Sequence, residues 1–175
     1  MISAPAHALL AVLVLLAAAG GATAQEWREV GSVASGFALS MPGVAASSPQ
    51  RYDNGVAGTR WMVAVADDEA YIAEVTVFPA GPGDALPAAQ ILATAQAGAV
   101  GTSLLLRERD IALDDHADRH PGRAFEFRTV DGLIAQVRTY WVRPRLFQLI
   151  AVTSPAKTAL PTAARFFDSF RVFAP

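Results

Sequence analysis

The chain has 175 residues, no cysteine, and 14 Lys and Arg against 16 Asp and Glu, for a net charge of −2. Interspersed charges of both signs exclude the basic footprint that nucleic acid or an anionic membrane surface requires. The absence of cysteine excludes disulfide staples and a lipid on an N-terminal cysteine, so any fold must hold by burial alone, which a domain of ~150 residues can do.

Residues 1–25 contain no Asp, Glu, Lys or Arg, and residues 9–19 form an unbroken apolar run. That run is too short for the ~30 Å of bilayer hydrocarbon. Gly20 and Gly21 end it, and Ala22-Thr23-Ala24 presents small residues at the positions a signal peptidase reads. The pattern predicts a signal peptide over 1–24, cleavage between Ala24 and Gln25, and a periplasmic or secreted product that meets the membrane only during export. The start of the chain carries no cation except the α-amino group and His7, and an uncleaved anchor is the alternative.

No repeat or composition shift divides residues 25–175, which predicts one domain. In residues 36–42, Phe37, Leu39 and Met41 alternate with small or polar residues as in a half-buried strand stopped by Pro42. Residues 44–58 are polar and turn-rich and read as a loop. Residues 59–66 and 70–78 are β-rich and separated by Asp67-Asp68-Glu69, a predicted antiparallel hairpin. After the breaker run at 79–83, Asp84 is a candidate N-cap, Pro87 suits a first helical turn, and Ala88, Ile91, Leu92, Ala95 and Ala99 make an apolar stripe that Gly98 or Gly101 would end.

Four strands are predicted next, over 104–113, 123–129, 133–142 and 146–153. Side-chain parity sets their registers. A three-residue loop Val130-Asp131-Gly132 pairs Phe127 with Ala135 and Phe125 with Val137, keeping aromatic rings off a polar face, and places Gly132 at a left-handed bulge position. The same reasoning favours a loop Arg143-Pro144-Arg145, pairing Trp141 with Phe147 and Thr139 with Leu149. Thr158 is a candidate cap for a last helix with a stripe of Ala163, Phe166, Phe167 and Phe170.

The strings GFALSMPG, LLLRERDIALDD, HPGRAFEF, RTYWV, RLFQLIAV and RFFDSFRV, in this order around the first helix, resemble exported domains of the PsbP-like superfamily. That fold is shared with the Ran-binding Mog proteins, and many bacterial members carry a signal peptide and have no assigned role. The resemblance spans roughly residues 36 to 173. It implies an α+β fold: a single antiparallel twisted sheet of six or seven strands flanked by helices, a PsbP-like α/β/α sandwich. It also implies action by binding instead of catalysis, with no residue carried over. This chain departs from the related pattern at residues 113–123, where a short turn is replaced by a longer one rich in His and Asp.

That turn holds His116 and His120 among Asp114, Asp115 and Asp118, ligand types that suit Zn, Cu or Ni. Pro121 and Gly122 argue for a loop, in which the spacing fixes no geometry and a solvated turn is the plain alternative. Ser154 and Lys157 match an SxxK pattern but lack its usual SDN and KTG companions, and Gly81-Pro82-Gly83 lacks the third glycine of a phosphate loop. The inferred registers put Glu126, Gln136, Arg138, Tyr140 and Gln148 on one face beside Ile134, Ile150 and Val152, a candidate binding floor. The expectation is an exported, non-enzymatic binding or accessory domain without a cofactor. Its partner would be a cell-envelope protein or a small ligand, not nucleic acid. A metal-binding role for His116, His120 and Asp118 is the first alternative and a hydrolase the second.

Overall fold

A computed structural model of the chain describes residues 26–52, 56–79, 86–115, 118–159 and 161–173. The expected signal segment, the Ala24-Gln25 cleavage pair, Asp84, Gly81-Pro82-Gly83 and His116 lie outside these residues.

Strands dominate. In chain order they are β1 (Trp27–Ser32), β2 (Phe37–Pro42), β3 (Ala46–Arg51), β4 (Ala57–Ala66), β5 (Glu69–Val77), β6 (Leu104–Asp114), β7 (Arg119–Arg128), β8 (Ile134–Val142), β9 (Arg145–Thr153) and β10 (Arg171–Val172), with helices α1 (Ala88–Val100) and α2 (Pro161–Asp168). They form two sheets, not the single one expected. Seven antiparallel strands run in the order β3-β4-β5-β9-β8-β7-β6, and three more in the order β1-β2-β10. The smaller sheet is assembled late in the chain, when β10 returns to pair Arg171 with Ala38 and Val172 with Phe37.

The large sheet is buried on both faces by different elements. On one face, Tyr71, Ala73, Val75, Phe147, Leu149 and Ala151 pack with Phe37, Leu39 and Met41 of the small sheet and with Ala163, Phe166, Phe167 and Phe170. On the other, Phe125, Phe127, Ala135, Val137 and Ile150 pack against α1 through Ala99, while Trp141 and Leu146 meet Ile91 and Leu92. α1 is also fixed by a polar relay. Gln96, buried, accepts from Arg123 at 2.9 Å and donates to Glu108.

The hairpin β7–β8 has the register that parity selects: Phe127 faces Ala135, Phe125 faces Val137, and Gly132 has φ +84° in the loop 130–132. The next hairpin differs from expectation. Val142 pairs with Arg145 and Trp141 with Leu146 around a two-residue turn, Arg143-Pro144, whose peptide bond is cis. Tyr140, not Trp141, therefore faces Phe147, and Gln148 faces Thr139. Both faces of β9 are buried, so hydrophobicity distinguishes its two registers poorly, and a one-residue slip exchanges every side chain between faces.

Three further expectations are corrected. Residues 44–58 are not all loop. Ala46–Arg51 is a solvent-exposed edge strand pairing with β4, and Pro49 is tolerated because an edge strand has one side without ladder bonds. β7 starts at Arg119 rather than Arg123, with Pro121 at a point where only β6 pairs, before β8 joins at Gly122. Thr158 does not cap α2. Its hydroxyl donates to the Ser154 carbonyl within a 3-10 turn at Pro155–Lys157, and the helix begins at Pro161. α1 ends at Gly101, one of the two expected stops, with Pro87 at its N-cap.

Candidate functional site

The face of the large sheet that carries α2 is closed by apolar packing over β5, β9 and part of β8, but toward β7 and β6 its side chains turn polar. Arg107 pairs with Glu126 across β6 and β7, and Glu126 with Gln136 across β7 and β8. The Arg107 guanidinium bonds the Glu126 carboxylate at 2.6 Å, and Gln136 donates to the same oxygen at 3.2 Å. Arg138 lies one strand position along, its guanidinium 4.8 Å from the Phe167 ring centre and 3.1 Å from the Asp168 carboxylate on α2. These groups and Arg109, with Ala163, Ala164 and Phe167 of α2 opposite, line an open groove of about 300 Å³.

Local sequence explains the convergence. A β-bulge between Leu105 and Arg107 shifts the β6 register by one residue, which turns Arg107 and Arg109 to the groove side and Glu108 and Asp110 to the α1 side. Gly122 lets β7 pass close beneath β8, where a Cβ would stand 2.5 Å from the Thr139 carbonyl oxygen.

Of the five expected patch residues, three meet here: Glu126, Gln136 and Arg138. Tyr140 shares their face but is buried, stacked on Phe170 with ring centres 5.6 Å apart. Burial pushes its phenol above the ordinary tyrosine range, partly offset by the Arg138 guanidinium. Gln148 is on the opposite face with Thr139, as are Ile150 and Val152; Ile134 alone of the expected apolar rim keeps the groove-side parity. The sequence reading missed Arg107 and Arg109, although the alternation Arg107-Glu108-Arg109-Asp110 within a strand was a usable signal. It also missed α2 as the second wall.

Chemically, the groove lining carries three guanidinium groups, of which Arg107 is paired with Glu126 and Arg138 with Asp168 at the rim, while the Glu108 carboxylate is bonded to Gln96 on the α1 side. Arg109 makes no ion pair among the described residues. Guanidinium forks with spare donors beside small apolar side chains suit a carboxylate or another planar anion.

In the His/Asp turn, His120 Nε2 contacts the Asp115 carboxylate at 2.8 Å, and the other Asp115 oxygen accepts the Asp118 backbone N–H at 2.8 Å. Asp115 thus closes the turn. Among the described residues no three His, Asp or Glu side chains converge as a metal set would. Lys157 of the SxxK pattern bonds Asp68 at 2.7 Å and Glu69 at 3.3 Å, and the Asp68 hydrogen bond raises its pKa, opposite to what a general base needs.

No protein-family profile matches the sequence, and no curated protein does. Among solved structures, the chain is similar to the solution structure of cyanobacterial PsbP (CyanoP) from Synechocystis sp. PCC 6803. The TM-score is 0.56 and the identity 14%, covering 90% of this chain and 99% of that one. A protein of unknown function from Pseudomonas aeruginosa, PA94, matches with a TM-score of 0.42 and 16% identity, over 79% of this chain and 90% of that one. The chain has a PsbP-like fold.

Proposed function

We propose that this chain is an exported, non-catalytic binding or accessory domain that works by contact with a cell-envelope protein or a small ligand. The contact surface is the groove between α2 and strands β6, β7 and β8, and the group it takes is an anion, most simply a carboxylate. The observation that carries this reading is the Arg109 guanidinium, without an ion pair among the described residues, beside the partly exposed Arg107 and Arg138 in a groove on a face that is otherwise closed by apolar packing. Export rests on the signal pattern at 1–24 with its Ala24-Gln25 junction.

The test is affinity capture from cell-envelope extract with the wild-type domain and with Arg107→Ala/Arg138→Ala. Both side chains are partly exposed, but Arg107→Ala leaves the 13%-exposed Glu126 carboxylate with Gln136 as its remaining partner, so the double variant should melt lower and capture is compared where circular dichroism shows both proteins folded. Loss of the captured species by the folded double variant supports the groove. Equal capture by both proteins overturns it.

A further inference from the structure

β6 is the outer strand of the seven-stranded sheet, and among the described residues nothing pairs with its free side. Native edge strands are usually short, twisted away or covered, because unpaired N–H and C=O groups recruit other strands. This one is 11 residues long and exposed over its first seven. Leu104, Leu105 and Leu106, 63%, 38% and 41% exposed, account for three of the seven large apolar side chains exposed among the described residues.

The residues that follow sort their charge by face. Arg107 and Arg109 pair with Glu126 and Ala124 on the groove side, whereas Glu108 and Asp110 pair with Phe125 and Arg123 on the α1 side. Arg107 and Asp110 keep 70% and 84% of their side chains exposed even while ion-paired. An open backbone edge is thus joined to an apolar stretch and to opposite charges on opposite faces.

We infer that the free edge of β6 is a docking strip for an extended segment of another protein, added as an eighth strand. Its acidic residues would lie beside Arg107 and Arg109, its basic residues beside Glu108 and Asp110, and its apolar residues beside Leu104–Leu106. Main-chain hydrogen bonds supply the affinity in this mode and alternate side chains the selectivity. A second copy of this chain does not fit. Two edge strands related by a two-fold axis perpendicular to the sheet keep the same faces up. Every register that lays 107–110 against itself then puts Arg opposite Arg and carboxylate opposite carboxylate, a destabilising arrangement. The strip goes beyond the groove reading, since it uses the outward backbone of β6 and not the space under α2.

Two peptides of identical composition, written for antiparallel addition to β6, test it: alternating Glu and Lys followed by Leu-Val-Leu, and a Glu block and a Lys block followed by Leu-Val-Leu. In a titration followed by amide NMR, the alternating peptide should bind about tenfold or more tighter, the size that several opposite-charge cross-strand pairs supply together. Its shifts and slowed amide exchange should fall on residues 104–111, and Glu108→Lys/Asp110→Lys should remove the preference. Equal affinity of the two peptides, no binding by either, or a dimer of the protein alone joined through β6 overturns the inference. Shifts centred on Gln136, Arg138 and Ala163 would also overturn it, while supporting the groove as the binding surface.

Discussion

Glu74 is 5% exposed, in the middle of β5 on the α1 side of the large sheet. Its carboxylate is held by Arg60, with Nε at 2.8 Å and the Nη2 nitrogen at 2.7 Å, and accepts the Tyr52 hydroxyl as well. Burial, and then the nearby carboxylate, push the Tyr52 phenol far above its ordinary range, so it remains a donor at any working pH. Glu74→Ala leaves a guanidinium whose side chain is only 13% exposed without its counter-charge, and a phenol without its acceptor. Removing one member of a buried pair costs about 3–5 kcal/mol. For a domain of this size, each kcal/mol lowers the melting temperature by about 2–4 °C, so the expected fall is about 6–20 °C. Replacing all three together, Tyr52→Phe, Arg60→Leu and Glu74→Leu, removes the charges with their penalties and should recover most of the loss. Thermal and urea denaturation followed by circular dichroism measure both variants. A loss under about 1 kcal/mol for Glu74→Ala, the range of a surface pair, would mean that this carboxylate is solvated and the interior described here is wrong.

Other changes probe the remaining layers. Phe166 is fully buried between the sheet and α2, and Phe166→Ala should cost about 3–5 kcal/mol by urea titration. Gly122→Ala should destabilise more than Gly132→Ala, because its Cβ meets the Thr139 carbonyl at 2.5 Å whereas Gly132 has only its φ of +84° to oppose a side chain. Lys157→Ala should show a definite pH signature. The Lys157 and Ser154 hydrogen bonds hold the Asp68 carboxyl below its ordinary range, and the Asp68 bond holds Lys157 above its own. The first gives stability that is present above the unfolded carboxyl pKa and is lost as pH falls through the folded value. The second gives stability that is present below the unfolded lysine pKa and is lost as pH rises through the folded one. The urea-midpoint gap between wild type and variant should therefore be flat near neutrality and shrink in acid and in strong alkali; a gap that widens in acid contradicts the pairing. For the His/Asp turn, a metal role would appear as a Zn(II)-dependent rise in melting temperature that vanishes in His116→Ala/His120→Ala. The Asp115 contact to His120 leads us to expect no such rise.

The parts of the fold legible from sequence are those where one face of a strand differs from the other. Phe125 and Phe127 alternate with Ala124, Glu126 and Arg128, so only one register of β7 on β8 keeps the rings covered, and it is the one found. β9 has no such contrast. Leu146 and Ile150 belong to the α1 side, Phe147 and Leu149 to the other, and the register turned on Arg143-Pro144 instead. That single slip is why Gln148 was placed with the patch, whereas Tyr140 keeps its expected face and is covered by Phe170 from beyond α2. β3 was hidden because an edge strand exposed on both faces carries no periodic signal, and β10 because its two residues are strand only by pairing with β2. In the groove, Glu126, Gln136 and Arg138 follow from the correct hairpin. Arg107 does not, since simple alternation from Leu105 would turn it away and only the bulge brings it back.

Contact with a partner through the groove beneath α2, as proposed, can be tested in place. A photo-crosslinking residue at Ala164, exposed on α2 and lining the groove, can be compared in intact cell envelopes with the same residue at Ala93, exposed on α1 at the opposite face. A discrete adduct is expected from position 164, lost when Arg107→Ala/Arg138→Ala is added, and none from position 93. Adducts from position 93 alone, or equally from both, would contradict it.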